Sequence, residues 1–199
     1  YKRQGILLEG ITAFNSTINS DSYNGGGIIL QSSEVDESSF TFGCCGANIR
    51  ILSTVVNNSS FSDYNNYYSV YFEDSELTNC SINLPSSNYG CSVINTTISY
   101  SGDTGLYCKN LTLDGSTIQG NGSGVGVEFT SNGTITNSSI IDNDIGIQAR
   151  GSLTANNNAI YDNTTYNLEN LTGNTDAINN WWGTTDVSEI SEKIWDYYD

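Results

Sequence analysis

The segment Asn137-Ser-Ser-Ile140-Ile-Asp-Asn143 contains the unit that repeats along this chain of 199 residues. Two small polar residues precede the apolar Ile140, and Asn137 stands three residues before it. Equivalent apolar residues recur at steps of 16 to 22 residues, and six of the eight steps are 20 to 22 residues long. The members of this anchor row are Ile18, Phe40, Phe61, Ile82, Ile98, Ile118, Ile140, Ile160 and Ile178. Self-similarity at a nearly constant period indicates a repeat architecture.

Two further apolar rows accompany the anchor row. The second row lies five positions before the anchors and consists of Ala13, Val35, Val56, Leu77, Val93, Leu113, Ile135, Ala155 and Gly173. The third row consists of pairs ten and twelve positions before the anchors: Ile6 with Leu8, Ile28 with Leu30, Ile49 with Ile51, Val70 with Phe72, Leu106 with Cys108 and, shifted by one, Val127 with Phe129. Alternation with a period of two predicts short strands rather than helices.

Three short strands per repeat, joined by small polar corners, predict an all-β fold: a right-handed parallel β-helix of about nine coils. Coils stack at ~4.8 Å, which gives a rod of roughly 40 Å and turns each apolar row into a column of side chains inside the stack. We therefore expect the anchors from Ile18 to Ile160 to form one buried column.

The residue three positions before each anchor is usually Asn, which fits a corner. Asn tolerates the left-handed conformation, and its amide can bond to the equivalent amide one coil away. We expect these corner asparagines to form a buried ladder. The alternative solenoid, a leucine-rich repeat, needs an LxxLxLxxN run and room for a helix, and this chain has no such run.

The end of the chain breaks the strand pattern. Val187, Ile190 and Ile194 are spaced for one face of a helix, and Asp186 could cap its start with Glu189 three residues on. We interpret residues 1–183 as the β-helix and residues 184–199 as a capping helix with a truncated tail. A cap would cover the apolar columns and strand edges at the end of the stack.

Several of these repeats resemble those of a known superfamily. Gly-Val-Glu-Phe at 126–129, the segment 137–143 and Ala-Ile-Tyr-Asp-Asn at 159–163 look like parallel β-helix repeats of the pectate-lyase-like superfamily. The tail Asn179-Asn-Trp-Trp-Gly-Thr-Thr-Asp186 resembles the closing motif of adhesin-like surface proteins of archaea and bacteria. The resemblance implies a β-helix, but it is unspecific for function, because lyases, hydrolases, epimerases, tailspikes and adhesins share the fold.

Composition narrows the partners. The chain has 22 acidic and 6 basic residues, a net charge of −16, which argues against nucleic acid and anionic membrane surfaces. No run of eighteen apolar residues would insert this segment into a membrane. Asn, Ser and Thr exceed a third of the residues, and Met is absent. We expect an extracellular or cell-surface segment of a longer protein.

A candidate binding face lies on the predicted first strands, whose outward residues include half of the basic side chains. The ligand-binding candidates are Arg50, Tyr71, Glu73, Tyr107, Lys109, Glu128 and Arg150. In enzymes of the superfamily this face carries the polysaccharide groove, so the resemblance makes it the leading site. Aromatic rings with Arg and Lys suit extracellular glycans. The exposed apolar Leu7, Ile29 and Leu52 favour contact with another copy or another surface protein instead, and a merely solvated face is the third reading.

One repeat departs from the pattern. The anchor step there is only 16 residues, and Pro85-Ser-Ser-Asn-Tyr-Gly90 replaces the expected apolar pair. We expect a notch in the face between Glu73 and Lys109, or simple drift of a coil that is not under selection.

No catalytic constellation emerges, and we assign no catalytic residue and no metal ligand. Glu73 and Glu128 would stand three coils apart, roughly 14 Å at the coil spacing, beyond the reach of a carboxylate pair. No cofactor is expected; a Ca²⁺ ion at a corner formed by Asp142 and Asp162, with Asn143 and Asn163, is the one alternative.

Three hypotheses for function follow. The first is a non-catalytic structural or adhesive module of a surface protein or filament. The second is a polysaccharide lyase, hydrolase or epimerase of the pectate-lyase-like type. The third is a viral or phage fibre, which shares the fold. The first is preferred because acids and a base do not cluster.

Eleven Asn-x-Ser/Thr sequons would mark an exported glycoprotein. Five of them coincide with corner asparagines, which we expect to be too buried for modification: Asn15, Asn58, Asn79, Asn95 and Asn137. The glycosylation candidates are the other six: Asn57, Asn110, Asn121, Asn132, Asn163 and Asn170.

The five cysteines do not have metal-ligand spacing, and there is no His. The repeat register turns Cys80 and Cys108 inward but two coils apart, too far for a disulfide. Of the five, only the neighbours Cys44 and Cys45 stand close enough to bond. We expect no disulfide between coils.

Overall fold

A computed structural model describes residues 6–20, 27–42, 47–63, 68–85 and 90–196 of the protein. Within these residues the chain forms 24 β-strands and one short helix. All the strand pairs are parallel, and each strand pairs with strands about twenty residues away in sequence. The fold is therefore a parallel β-solenoid, as the repeat predicts.

Each coil contributes one segment to each of three strips of strands. Strip one contains β1 (Ile6–Glu9), β4 (Ile28–Gln31), β7 (Ala47–Leu52), β10 (Tyr68–Glu73), β13 (Cys91–Ile94), the second halves of β15 (Leu106–Asp114) and β17 (Val125–Thr136), β20 (Ser152–Asn156) and β23 (Thr175–Asp176). Strip two contains β2 (Thr12–Phe14), β5 (Glu34–Asp36), β8 (Val55–Asn57), β11 (Glu76–Thr78), β14 (Thr97–Ser99), β16 (Thr117–Gln119), β18 (Ser139–Ile141) and β21 (Ala159–Tyr161). Strip three contains β3 (Thr17–Ser20), β6 (Ser39–Phe42), β9 (Ser60–Asp63), β12 (Ser81–Leu84), the first halves of β15 and β17, β19 (Ile145–Ala149), β22 (Tyr166–Asn170) and β24 (Ile194–Asp196).

Strip two is a separate sheet of eight strands, whereas strips one and three form one sheet of sixteen strands. They are joined because β15 and β17 run from strip three into strip one without a break. The eight strands of strip two bound seven complete turns, so the stack has about seven full turns where about nine coils were predicted. The last coil is incomplete, since it reaches strip two only through a single bridge between Ala159 and Trp181.

One left-handed residue turns the chain at each of two corners. Corner one, between strips one and two, uses Gly10, Ser32, Ser53, Asp74, Asn95, Gly115, Asn137, Asn157 and Asn179, with φ from 48° to 61°. Corner two, between strips two and three, uses Asn15, Glu37, Asn58, Asn79, Tyr100, Gly120, Asp142, Asp162 and Gly183, with φ from 47° to 91°. Asn, Asp and Gly predominate because they tolerate this conformation best. The predicted left-handed corner is confirmed.

The corner asparagines themselves are exposed, so the expectation that they are buried is wrong. A left-handed residue at an outer corner directs its side chain away from the core, and some of these amides bond to each other on the surface, as Asn79 Nδ2 does to Asn58 Oδ1 at 2.7 Å. The buried position is the next residue. At corner one it is occupied by Ser33, Thr54, Ser75, Thr96, Ser116, Ser138 and Asn158.

These buried residues form the inner ladders. Ser116 Oγ accepts the backbone N–H of Thr96 at 3.1 Å, and Ser138 Oγ accepts that of Ser116 at 3.1 Å. At corner two, the Oδ1 of Asn143 accepts the N–H of Asn121 at 3.3 Å, and the Oδ1 of Asn163 accepts the N–H of Asn143 at 3.1 Å. Each ladder thus satisfies backbone groups that the turn removes from the strand pairing.

Glycine makes room for the corner-two ladder. A Cβ atom on Gly126 would stand 2.8 Å from Asn143 Nδ2, and one on Gly146 would stand 2.8 Å from Asn163 Nδ2. Those distances are shorter than carbon and nitrogen atoms tolerate. The repeated Gly in Val125-Gly-Val and Ile145-Gly-Ile is therefore required by the neighbouring amide.

The anchor row forms two columns rather than the predicted one. Its early members lie on strip three and its later members on strip two: first Ile18, Phe40, Phe61 and Ile82, then Ile98, Ile118, Ile140 and Ile160. Ile98 pairs with Leu77, 21 residues earlier, and not with Ile82. The 16-residue step is five residues short because it passes from one strip to the next. All eight side chains are buried except that of Ile18, which is half-buried.

The same shift removes the predicted notch. Cys91 pairs with Val70 on one side and with Leu111 on the other, so β13 fills strip one in this coil. The sequence interpretation searched for that strand too early, at Ser86 and Asn88, which lie outside the described residues.

The C-terminal helix α1 (Val187–Glu192) begins after Asp186, whose carboxylate accepts the N–H of Ser188 at 2.8 Å as predicted. The helix is shorter than predicted. Ile194 belongs to β24 and pairs with Leu168, and Val187 is 78% exposed. The apolar residues that pack on the end of the core are Ala177, Trp182 and Ile194.

We predict that Ile118→Asp lowers the free energy of unfolding by roughly 3–5 kcal/mol, because an unpaired charge would enter an apolar column. Thr117→Asp is the matched control, since Thr117 is the preceding residue of β16 and is only half-buried. Urea denaturation measures both variants. Equal losses in the two variants would contradict the assignment of inward and outward positions.

We predict that Asn143→Ala costs about 2–4 kcal/mol, because the buried N–H of Asn121 loses its acceptor. Asn132→Ala is the control, because Asn132 is exposed and its amide bonds only to other surface side chains. Thermal and chemical denaturation should rank the two variants. A larger loss for Asn132→Ala would show that the inner ladder is not a stabilising element.

Candidate functional site

The seven predicted binding residues lie on two strips and not on one face. Arg50, Tyr71 and Glu73 belong to strip one. Tyr107 and Glu128 face outward from strip three. Lys109 and Arg150 lie where the chain passes from strip three to strip one, Lys109 at a bulge between Cys108 and Asn110. The register shift causes this division, because the sequence assigned the strip-three residues to strip one.

The strip-one residues form a small, open cluster. Arg50 Nη2 lies 3.4 Å from Glu73 Oε2, and the guanidinium carbon lies 5.5 Å from the centroid of the Tyr71 ring. The side chains of the ion pair are 45% and 40% exposed. Solvent screens such a pair, which contributes at most about 1 kcal/mol. The next residues along this outward row are Ser92, Thr112 and Thr134, which are small.

A more developed constellation follows the outward row of strip three. Five consecutive coils place their side chains in register, and we call this row the aromatic–carboxylate ladder: Tyr107, Glu128, Gln148, Glu169 and Trp195. At ~4.8 Å per coil the row is roughly 19 Å long. All five side chains are partly exposed.

Hydrogen bonds connect the polar members of the ladder. Arg150 Nε donates to Glu128 Oε1 at 2.6 Å, and Arg150 Nη2 donates to Gln148 Oε1 at 2.8 Å. Gln148 Nε2 in turn donates to Glu169 Oε2. The Glu128 side chain is only 17% exposed, which strengthens its charge-assisted bond relative to the strip-one pair. The network fixes the orientation of two carboxylates before any ligand arrives.

The two ends of the ladder carry aromatic rings, Tyr107 at one end and Trp195 at the other. Rings of this kind offer an apolar face together with a polar edge. An elongated surface with rings at its ends and oriented polar groups between them suits a ligand that alternates C–H faces with hydroxyl groups. A short oligosaccharide has that character.

The sequence interpretation missed Glu169 and Trp195. Three segments of similar pattern would have revealed Glu169, because each has its outward residue at the fourth position: Val125-Gly-Val-Glu-Phe129, Ile145-Gly-Ile-Gln-Ala149 and Tyr166-Asn-Leu-Glu-Asn170. Trp195 was hidden because Ile194 had been assigned to the helix.

The geometry bears on the predicted calcium alternative. Asp142 and Asp162 are exposed at corner two, but Asn143 and Asn163 are buried in the inner ladder and engaged there. The described residues contain no group of three or more His, Cys, Asp or Glu side chains arranged to hold a metal ion. Among these residues, no helix is long and apolar enough to cross a membrane.

The structure reverses the ranking of the sequons. Three glycosylation candidates, Asn121, Asn163 and Asn170, are buried and are not presented by the folded chain. Asn132 is exposed, and Asn57 and Asn110 are half-buried. The corner sequons that we expected to be shielded are the exposed ones, since the left-handed residue points outward: Asn15, Asn58, Asn79, Asn95 and Asn137.

The cysteines also require a correction. Cys80 and Cys108 are buried in the core, as predicted, and both are thiols rather than disulfides. The expectation that only Cys44 and Cys45 stand close together is wrong, because the side chain of Cys108 is hydrogen-bonded to that of Cys91. Cys44 and Cys45 lie outside the described residues.

Comparison with known proteins finds no family model, no curated protein and no solved structure that matches this chain. The fold is thus shown as a parallel β-solenoid, while the likeness to pectate-lyase-like and adhesin-like proteins rests on the sequence motifs alone.

Proposed function

We propose that this chain is a non-catalytic structural or adhesive module of an extracellular or cell-surface protein, which binds glycans through the aromatic–carboxylate ladder. The observation that supports this proposal is the connected row of Tyr107, Glu128, Gln148, Glu169 and Trp195, with Arg150 holding two of its members. The strip-one cluster offers one exposed ion pair and a row of small hydroxyl residues, so it is the weaker candidate.

The charges of the ladder favour a neutral glycan. Glu128 and Glu169 contribute two negative charges against one positive charge from Arg150, and the whole chain carries a net charge of −16. That field repels uronic acids and sulfated sugars. Carboxylate and amide oxygens accept hydrogen bonds from sugar hydroxyls, which suits an uncharged chain.

Two features support the surface assignment. The chain is rich in Asn, Ser and Thr, and six of its eleven sequons present an exposed Asn at a corner or on strip one. N-glycosylation would take place only on the export route. The rigid solenoid would hold the ladder at a defined distance from whatever anchors the protein.

We predict that a neutral oligosaccharide binds and that Trp195→Ala weakens binding about tenfold, because a stacking contact contributes roughly 1–1.5 kcal/mol. Glu169→Ala should have a similar effect through the loss of a hydrogen-bond acceptor. A glycan array followed by calorimetry measures both. Tyr71→Ala on strip one is the matched control and should leave the affinity unchanged. Loss of binding in Tyr71→Ala with full binding in Trp195→Ala would contradict the proposal.

A hydrolase is the second candidate, favoured by one observation. Glu128 and Glu169 are two coils apart, about 9.6 Å at the coil spacing, which is close to the upper separation of the two carboxylates in inverting glycosidases. Both carboxylates are held by neighbours, Glu128 by Arg150 and Glu169 by Gln148. A carboxylate bonded to a guanidinium is a poor general acid, because that bond favours the ionised form.

We therefore predict no turnover of neutral glycans and none of polygalacturonate or alginate. Reducing-end and unsaturated-product assays with the bound glycan as substrate test this. Turnover that Glu128→Gln, Lys109→Ala or Arg150→Ala abolishes would establish an enzyme and displace the adhesive function.

A further inference from the structure

Two cysteine side chains meet in the core of one coil. Cys91 begins β13 on strip one, and Cys108 lies in the first half of β15 on strip three. Their exposed fractions are 2% and 0%, and a hydrogen bond joins their side chains.

The path of β15 explains this contact. The strand continues from strip three into strip one through a bulge after Cys108, and Leu111, three residues later, pairs with Cys91. Cys108 also pairs with Leu84 and Phe129 in the neighbouring coils. The two thiols therefore face each other across the inner side of the junction between strips three and one.

The third described cysteine has a different environment. Cys80 is buried at corner two, where its Sγ lies 3.4 Å from the carbonyl oxygens of Val56 and Thr78. Burial raises the pKa of this thiol to about 11. Cys80 follows the ladder position of the hydroxyl residues, so it serves as an internal control for a cysteine that has a structural role only.

We propose that Cys91 and Cys108 are a disulfide pair that closes one turn of the solenoid into a covalent ring. The ring would contain the 18 residues from 91 to 108, which run through strip two and both corners of that coil. The two thiols lose two protons and two electrons as the S–S bond forms. A small-molecule disulfide of the glutathione type accepts the electrons and is reduced to two thiols.

The bond is expected to form while the chain folds and not after it has folded. Burial, the hydrogen bond to Cys91 and the negative charge near it together raise the pKa of Cys108 well above its usual range. Because the thiolate is the reacting species, the folded pair is slow to exchange. The proposal rests on the contact between the two residues and is independent of what the outer ladder binds.

The test uses the full chain with Cys44→Ser and Cys45→Ser, so that Cys80, Cys91 and Cys108 are the remaining cysteines. The protein is refolded from the reduced, denatured state in a glutathione redox buffer, alkylated in denaturant and mapped by mass spectrometry without reduction. The expected map shows Cys91 joined to Cys108 and Cys80 alkylated. Three alkylated thiols, a glutathione adduct at either residue, or a bond that includes Cys80 would overturn the proposal.

The stability of the two states gives a second measurement. Closing a ring of this size should raise the Tm of the oxidised protein by roughly 5–10 °C over the reduced protein. Cys108→Ala in the same background removes the bond and should make the Tm independent of the redox buffer. Equal Tm values for the oxidised and reduced parent chains would overturn the stapling role.

Discussion

The hydrogen bond at the corner is the interaction on which the rest of the solenoid depends. One left-handed residue turns the chain, and the next residue buries a hydroxyl or amide that accepts a backbone N–H from the preceding coil, as Ser116 does for Thr96 and Asn143 does for Asn121. This bond sets the distance between successive coils at the place where strand pairing is interrupted. Because the corner fixes the stacking, the apolar residues between corners come into register and form columns. The close approach of Gly126 and Gly146 to the amide ladder shows that the sequence of strip three is adapted to the corner as well.

The fold could be predicted from the sequence because the repeat length and the alternation are direct consequences of coil geometry. The register could not, because both corners use the same chemistry. Asn79-Cys-Ser-Ile82 at corner two and Asn95-Thr-Thr-Ile98 at corner one have the same pattern of a left-handed residue, a small buried residue and an inward apolar residue. Only the pairing of Ile98 with Leu77 distinguishes them, and that is a tertiary contact. A step of 16 residues in a chain of 21-residue coils was the available evidence that the two patterns belong to different corners.

The candidate site was predictable in part for the same reason. Tyr107 and Glu128 were recognised as outward residues, since alternation assigns them correctly whichever strip they occupy. Their neighbours in space depended on the register, so Arg50 and Tyr71 were wrongly grouped with them. Trp195 required knowing that β24 pairs with β22, whereas the spacing of Val187, Ile190 and Ile194 is equally compatible with a helix face. The exposed corner asparagines were misjudged because the buried ladder uses the following residue.

The position of the aromatic–carboxylate ladder has a structural cause. In the first four coils the outward row of strip three consists of small polar residues, Asn19, Thr41, Ser62 and Asn83, and the strands of that strip end at Ser20, Phe42, Asp63 and Leu84. The large side chains begin at Tyr107, in the coil where β15 first continues from strip three into strip one. From there the two strips share one sheet, and Arg150, placed at the junction, reaches Glu128 and Gln148 on the strip beside it. The inner positions of a solenoid are constrained by every neighbouring coil, so a binding surface evolves on the outward row, and here it occupies the part of that row which a continuous sheet supports.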